Sequence, residues 1–179
     1  HHPFARFGPA NHITMIRAAL VALAAALLVE ATTAAIAWWV VGATACLAAL
    51  DGLDGWLARR TGLASDFGAR FDMEVDALLI LVLSLFVWRH DKAGVWVLAC
   101  GLMRYAFIAA GKVLPWMAGP LRPTVRGKSV AVGQFAGLGL ALAPVVPTPA
   151  SAIVAAITLA TLVWSFAIDV MRLSRGEGN

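Results

Sequence analysis

The sequence is poor in charge and in cysteine. Only 13% of its 179 residues are charged, about half the share usual in a soluble domain, whereas 61% are hydrophobic. The two cysteines, Cys46 and Cys100, lie inside apolar runs, and no Cys/His pattern has zinc-ligand spacing. Basic runs interleaved with aromatic residues are also missing. These absences exclude a disulfide-stabilised domain, a zinc site and a nucleic-acid partner.

Long apolar runs separated by short polar breaks make up most of the chain. Such runs are typical of transmembrane helices, and the alternating segments of a β-barrel are not seen. We therefore predict an all-α polytopic membrane protein with one domain over 1–179, in which a juxtamembrane interfacial segment (1–11) precedes a six-transmembrane-helix bundle (12–171). The six predicted spans are Ile13–Val29, Thr32–Leu50 continuing through Arg59, Ala69–Trp88, Ala93–Val113, Ser129–Val146 and Ala150–Met171.

The basic residues are distributed unevenly between the two ends of these spans. Eleven of the fourteen lie on one side if the chain crosses six times, and only Arg89 and Lys92 lie on the other, with Arg104 inside the fourth span. The positive-inside rule then predicts that both termini face the cytoplasm. The net charge of +4 suits an anionic inner leaflet.

Acidic residues are few, but six of the ten fall in one stretch, "DGLDGWLARRTGLASDFGARFDMEVD", at 51–76. Asp51 and Asp54 are three residues apart, and Asp72 and Asp76 are four apart. On helices, both spacings place the pair on one face. Gly55 leaves a smooth strip beside the first pair of aspartates. Gly68, one turn before Asp72, does the same beside the second pair.

Four converging carboxylates are expensive near the hydrocarbon, because an unpaired aspartate costs ~2.5–3.5 kcal/mol at a membrane centre. Either some are protonated or cations lie among them. Carboxylate oxygens favour Mg²⁺ or Mn²⁺, and a pair of such ions suits phosphoryl chemistry. The alternative is a set of interfacial aspartates that cap helix ends or pair with Arg59, Arg60 and Arg70.

The stretch resembles the signature of the CDP-alcohol phosphotransferases, D-x-x-D-G-x-x-A-R followed by eight residues and G-x-x-x-D-x-x-x-D. "NHITMIR", Asn11 to Arg17, resembles the N-x-[LI]-T-x-x-R opening of many members, and "GKSVAVGQ", Gly127 to Gln134, is similar to a later family stretch. Residues of this chain fill all eight fixed positions of the signature: Asp51, Asp54, Gly55, Ala58, Arg59, Gly68, Asp72 and Asp76.

The resemblance implies a membrane enzyme of phospholipid biosynthesis. A CDP-linked lipid, here CDP-diacylglycerol, would lose CMP as its phosphatidyl group passes to the hydroxyl of a small polar alcohol. Four aspartates would bind two divalent metal ions, and Asp76 would also act as the catalytic base. We further expect a homodimer in a bacterial cytoplasmic membrane, with the active site on the cytoplasmic side. The residues implied to contact the CDP-lipid are Asn11, Thr14, Gly55, Ala58, Arg59, Ser65 and Gly68.

The acceptor is left open by the sequence. Many glycerophosphate-using relatives read D-P-x-x-D-K across the last pair of aspartates, whereas this chain reads "DMEVDA" from Asp72 to Ala77. Synthases of phosphatidylglycerophosphate or phosphatidylinositol phosphate therefore stay alternatives. For a phosphorylated acceptor, the candidate ligands are Arg104, Arg126 and Lys128; their ordinary interpretation is positive-inside topology.

Two further acids and two rival functions complete the sequence-based hypotheses. Glu74 is expected to pair with Arg70 on one helix face, and Asp169 either to pair with Arg172 or to make a contact within the bundle. A non-enzymatic ion or proton transporter would also place acids in a bundle, but it does not require Gly55 and its neighbours at fixed offsets. Metal-dependent prenyltransferases use aspartate pairs with other spacings.

Overall fold

The computed structural model describes the backbone of residues 9–61, 66–114, 116 and 124–175, and the side chains of 12–52, 68–114, 116 and 124–175. Every regular element in this part of the chain is helical, as predicted. A 3₁₀ turn (Leu27–Val29) continues the first helix, and another (Val95–Val97) leads into the fourth. The six helices are α1 (Pro9–Ala26), α2 (Ala34–Thr61), α3 (Asp66–Arg89), α4 (Leu98–Val113), α5 (Val125–Leu142) and α6 (Ala150–Ser174).

Helix α5 is displaced by four residues from its predicted span, Ser129–Val146. Thr124 caps its beginning, because the Thr124 hydroxyl accepts a hydrogen bond from the amide of Gly127 at 3.1 Å. Its end is set by Pro144, which disfavours helical geometry at the preceding residue, and Ala143 is accordingly non-helical with ψ of 130°. The apolar run of the sequence extended past this stop.

The turns between α3 and α4 and between α5 and α6 are joined at one end of the bundle. The ammonium of Lys92 donates to the carbonyls of Ala143, at 3.1 Å, and Val146, at 2.6 Å. The hydroxyl of Ser151 in turn donates to the carbonyl of Lys92 at 2.6 Å. Since these turns share one end, the beginnings of α3 and α5 lie at the other, which is where the acidic stretch falls.

Helices α3 and α5 form the inside of the bundle. Helix α3 packs against α1, α4 and α5, and α5 packs against α2, α3 and α6. Their core residues include Leu83, Val87, Leu138 and Leu142, all fully buried. Because neighbours shield them, these two helices do not need the apolar surface that a lipid-facing helix requires.

Four segments are long and apolar enough to cross a membrane within the described residues: His12–Val29, Ala34–Gly52, Val95–Val113 and Ala150–Ser174. They carry large exposed apolar side chains, such as Leu23, Trp39 and Ile157, as expected of lipid-facing helices. The predicted polytopic all-α membrane protein is confirmed, although four spans rather than six meet this criterion. The inner helices differ because α3 carries the acids, and α5 carries Arg126, Lys128 and Gln134. The predicted interfacial segment 1–11 lies outside the described side chains.

The contact between α3 and α4 depends on Gly101. A Cβ atom at this position would lie 2.4 Å from the Cα of Leu81, so the two helix backbones would have to separate. We expect Gly101→Ala to destabilise the protein by about 1–3 kcal/mol, as overpacked cores do. Gly133→Ala is the matched control, because a Cβ there meets nothing within 4 Å, and it should be neutral or stabilising by up to about 1 kcal/mol. Thermal unfolding in detergent measures both, and equal stability of the two variants would contradict the packing.

Candidate functional site

Three carboxylates converge where α2 faces α3. Asp51 comes from α2, whereas Asp72 and Asp76 lie one turn apart on α3. One oxygen from each of them lies within 4.8 Å of the others. Their side chains are 27%, 32% and 19% exposed, so the cluster is partly open to solvent. The structure thus brings together three of the four aspartates that the spacing selects, and the side chain of Asp54 lies outside the described residues.

A buried arginine of α1 lies among these carboxylates. The guanidinium of Arg17 pairs with Asp51, with Nη1 and Oδ1 2.9 Å apart. It also donates hydrogen bonds from Nη1 to Asp72 and from Nη2 to Asp76. The Arg17 side chain is only 1% exposed. A cation this deeply buried requires countercharge, which the three aspartates supply.

Arg17 was not among the residues that the sequence selected for the site. Its signal was nevertheless present, because Arg17 closes the "NHITMIR" opening and immediately precedes a long apolar run. An arginine within a membrane helix usually faces a polar partner inside the bundle. The sequence could not name that partner, because the partners are distant in the chain. Asp72 lies 55 residues from Arg17, and Asp76 lies 59 residues from it.

Thr14 accompanies Arg17 on the inner face of α1. The two residues are three apart, so they share one side of the helix, and Thr14 is 4% exposed. Helix α1 packs against both α2 and α3, which directs this face toward the carboxylates. The sequence placed Thr14 among the nucleotide contacts, and that role stays a prediction.

The donor set fits a hard divalent cation. Oxygens on opposite sides of one Mg²⁺ are about 4.2 Å apart at the usual bond lengths, and the three carboxylate oxygens are within 4.8 Å of one another. Small side-chain rotations would therefore bring all three onto one ion. All the donors are carboxylate oxygens, the type that Mg²⁺ and Mn²⁺ prefer.

Other residues predicted for the CDP-lipid fall at the edge of the described structure. Gly68 is half-buried near the start of α3, one turn before Asp72. The backbone of α2 continues as a helix to Thr61, so the helical geometry on which the predicted faces of its last turns depend is present. The predicted contacts whose side chains lie outside the described residues are Asn11, Gly55, Ala58, Arg59 and Ser65.

Two of the three candidate acceptor ligands are bound to carboxylates. Arg104 of α4 pairs with Glu74 of α3, with Nη2 and Oε1 2.6 Å apart. Arg126 of α5 pairs with Asp169 of α6. The third, Lys128, lies exposed in the first turn of α5, and within the described side chains its ammonium has no carboxylate partner.

These pairs change one sequence-based expectation and decide another. Glu74 pairs with Arg104 rather than with Arg70. An exposed pair on one helix contributes only a few tenths of a kcal/mol, whereas a cation inside α4 depends on finding a countercharge. Asp169 makes a contact between helices through Arg126, rather than pairing with Arg172 on its own helix.

Comparison with known protein families gives a match over most of the chain. Residues 8–164 match the model of the family described as CDP-alcohol phosphatidyltransferase. The matched range contains Arg17, all four aspartates and the greater part of the bundle. Comparisons with curated proteins and with solved structures return no match.

Proposed function

The chain belongs to the CDP-alcohol phosphatidyltransferase family, and from this premise we propose that its donor is CDP-diacylglycerol and its acceptor a small polar alcohol. The family is one of membrane enzymes that transfer a phosphatidyl group from a CDP-alcohol in phospholipid biosynthesis. The observation that carries the proposal is the convergence of Asp51, Asp72 and Asp76 at the polar end of a lipid-facing bundle. A donor with two acyl chains can reach such a site from the bilayer.

The proposed reaction is one displacement at phosphorus. The acceptor oxygen forms a bond to the phosphorus that carries the diacylglycerol, and the bond from that phosphorus to the oxygen of CMP breaks. Asp76 takes the proton of the acceptor hydroxyl, and CMP leaves with the bonding electron pair.

Positioning and charge neutralisation account for the remainder of the catalysis. Two Mg²⁺ or Mn²⁺ ions, held by Asp51, Asp54, Asp72 and Asp76, would supply the positive charge that the diphosphate of the donor and the departing CMP require. Arg59 binds the diphosphate in this proposal, and Gly55 leaves space for the cytidine. By the positive-inside rule, this end of the bundle faces the cytoplasm.

Release of CMP from CDP-diacylglycerol tests the proposed function. The purified protein in detergent or liposomes should release CMP only when Mg²⁺ or Mn²⁺ and a suitable acceptor are present. A panel of serine, inositol, glycerol phosphate and inositol phosphate identifies the acceptor. A transporter that merely shares this fold would release no CMP with any of these acceptors, and that result would overturn the proposal.

Lys128 distinguishes a phosphorylated acceptor from a neutral one. Of the three candidate ligands it alone has no carboxylate partner in the described part of the chain, so we propose that it binds an acceptor phosphate. Lys128→Gln should raise KM for glycerol phosphate or inositol phosphate roughly tenfold or more, the usual loss for a hydrogen bond to a charged group. The KM for CDP-diacylglycerol should not change.

The control for Lys128 is Lys112→Gln, since Lys112 is an exposed lysine in the last turn of α4, at the same end of the bundle. Initial rates over a range of acceptor concentrations give both constants. Equal effects of the two substitutions would show that Lys128 contributes only to the general positive charge of this surface. No effect of either would place the acceptor phosphate elsewhere.

A further inference from the structure

The arginine at the centre of the site contacts more carboxylates than the other paired arginines of the described residues do. Arg104 and Arg126 each pair with one carboxylate. Among the described side chains, Arg17 contacts three carboxylates, those of Asp51, Asp72 and Asp76. Three carboxylates of the described residues therefore share one guanidinium.

The guanidinium also occupies the place where a metal ion would be bound. Its two terminal nitrogens contact one oxygen of each aspartate, and the same three aspartates are those whose oxygens lie within 4.8 Å of one another. A divalent ion and a guanidinium cannot both lie between these oxygens, because their positive charges repel strongly at such distances. They compete for the same ligands.

We propose that Arg17 is the resident counter-ion of the aspartate cluster, holding its three carboxylates together in the metal-free protein and releasing them when a divalent cation binds. Arg17 is thus a positioning residue that acts through the aspartates. The inference rests on the divalent metal of the proposed function. A long, flexible side chain allows the guanidinium to withdraw without movement of α1.

The proposal explains why the cluster can be assembled before any metal is bound. Three carboxylates held this close repel one another, and the partly buried environment weakens the screening of that repulsion. With Arg17 present, the folded protein keeps its ligands in place. The cost is a lower metal affinity, because each ion that binds must displace a cation that is already there.

The test measures metal binding and stability without any substrate. In a chelator, Arg17→Gln should unfold at a lower temperature than the wild type, and Mn²⁺ should restore the loss. The same variant should bind Mn²⁺ at least about tenfold more tightly in a calorimetric titration, since the competing charge is gone. Arg17→Lys keeps the charge and should return both quantities toward those of the wild type.

Two further variants separate countercharge from simple packing. Adding Asp72→Asn to Arg17→Gln removes one of the repelling charges and should recover stability in chelator, which loss of side-chain volume alone would not do. Lys92→Met removes another cation, one that binds carbonyls beyond the far end of α3, about 20 Å from Asp76 along the helix. It should lower the unfolding temperature with no change in Mn²⁺ affinity.

The outcomes distinguish this inference from the proposed function. If the wild type binds Mn²⁺ but Arg17→Gln binds it equally or more weakly, the counter-ion role is wrong and the metal use stands. If Arg17→Gln is as stable as the wild type in chelator, the role is also wrong. If the wild type binds no divalent ion, the metal use and this inference fail together. If the single variant is recovered folded only with Mn²⁺, that dependence supports the proposal.

Discussion

Chelation of divalent cations should reduce CMP release from CDP-diacylglycerol to the background rate, a loss of at least about 10³-fold. In the proposed reaction, negative charge develops on the departing CMP beside Asp51, Asp72 and Asp76, whose oxygens lie within 4.8 Å of one another. Without bound cations these carboxylates would repel the substrate. Added Mg²⁺ or Mn²⁺ should restore the rate.

The control for chelation is the integrity of the fold. Because Arg17 supplies one positive charge to the cluster, the wild-type protein should remain helical in chelator by circular dichroism, so that the loss of activity is reversible. Elemental analysis of the treated sample confirms removal of the metal. Undiminished CMP release from a metal-free sample would disprove a metal-dependent transfer.

Asp76→Asn should lower the rate of CMP release by about 10²–10⁴-fold, the usual contribution of general-base catalysis. The substitution retains the size of the side chain but removes its ability to take the proton of the acceptor hydroxyl. CDP-diacylglycerol should still bind, because Asp51, Asp72 and the motif's Arg59 remain. Affinity for the lipid should fall only to the extent that one metal ion is held less firmly.

Glu74→Gln is the matched control for Asp76→Asn. Glu74 lies two residues away on α3, points toward Arg104 of α4, and is not part of the aspartate cluster. Its substitution should cost less than about tenfold in rate. CMP release and CDP-lipid binding should be measured for both variants in parallel preparations. Near-normal turnover of Asp76→Asn, or a greater loss in Glu74→Gln, would show that the catalytic face of α3 is assigned wrongly.

The helices and the faces they present were predictable because they depend on neighbours in the chain. Apolar runs predicted six helices, and the spacing of Asp72 and Asp76 placed both on one face of α3. The error in α5 has a local cause as well. The cap at Thr124 and the stop before Pro144 outweigh the apolar run that extends past them.

The sequence by itself determined that this is an all-helical membrane protein with paired aspartates at one end of its bundle. Only the tertiary structure decided which charges meet there. It placed Arg17 among three aspartates, and it joined Arg104 to Glu74, 30 residues away, and Arg126 to Asp169, 43 residues away. Helical periodicity acts over three or four residues. The partner of a buried charge, in contrast, is selected by the way whole helices pack. In the low dielectric of the bundle interior, a buried charge without a partner destabilises the fold strongly.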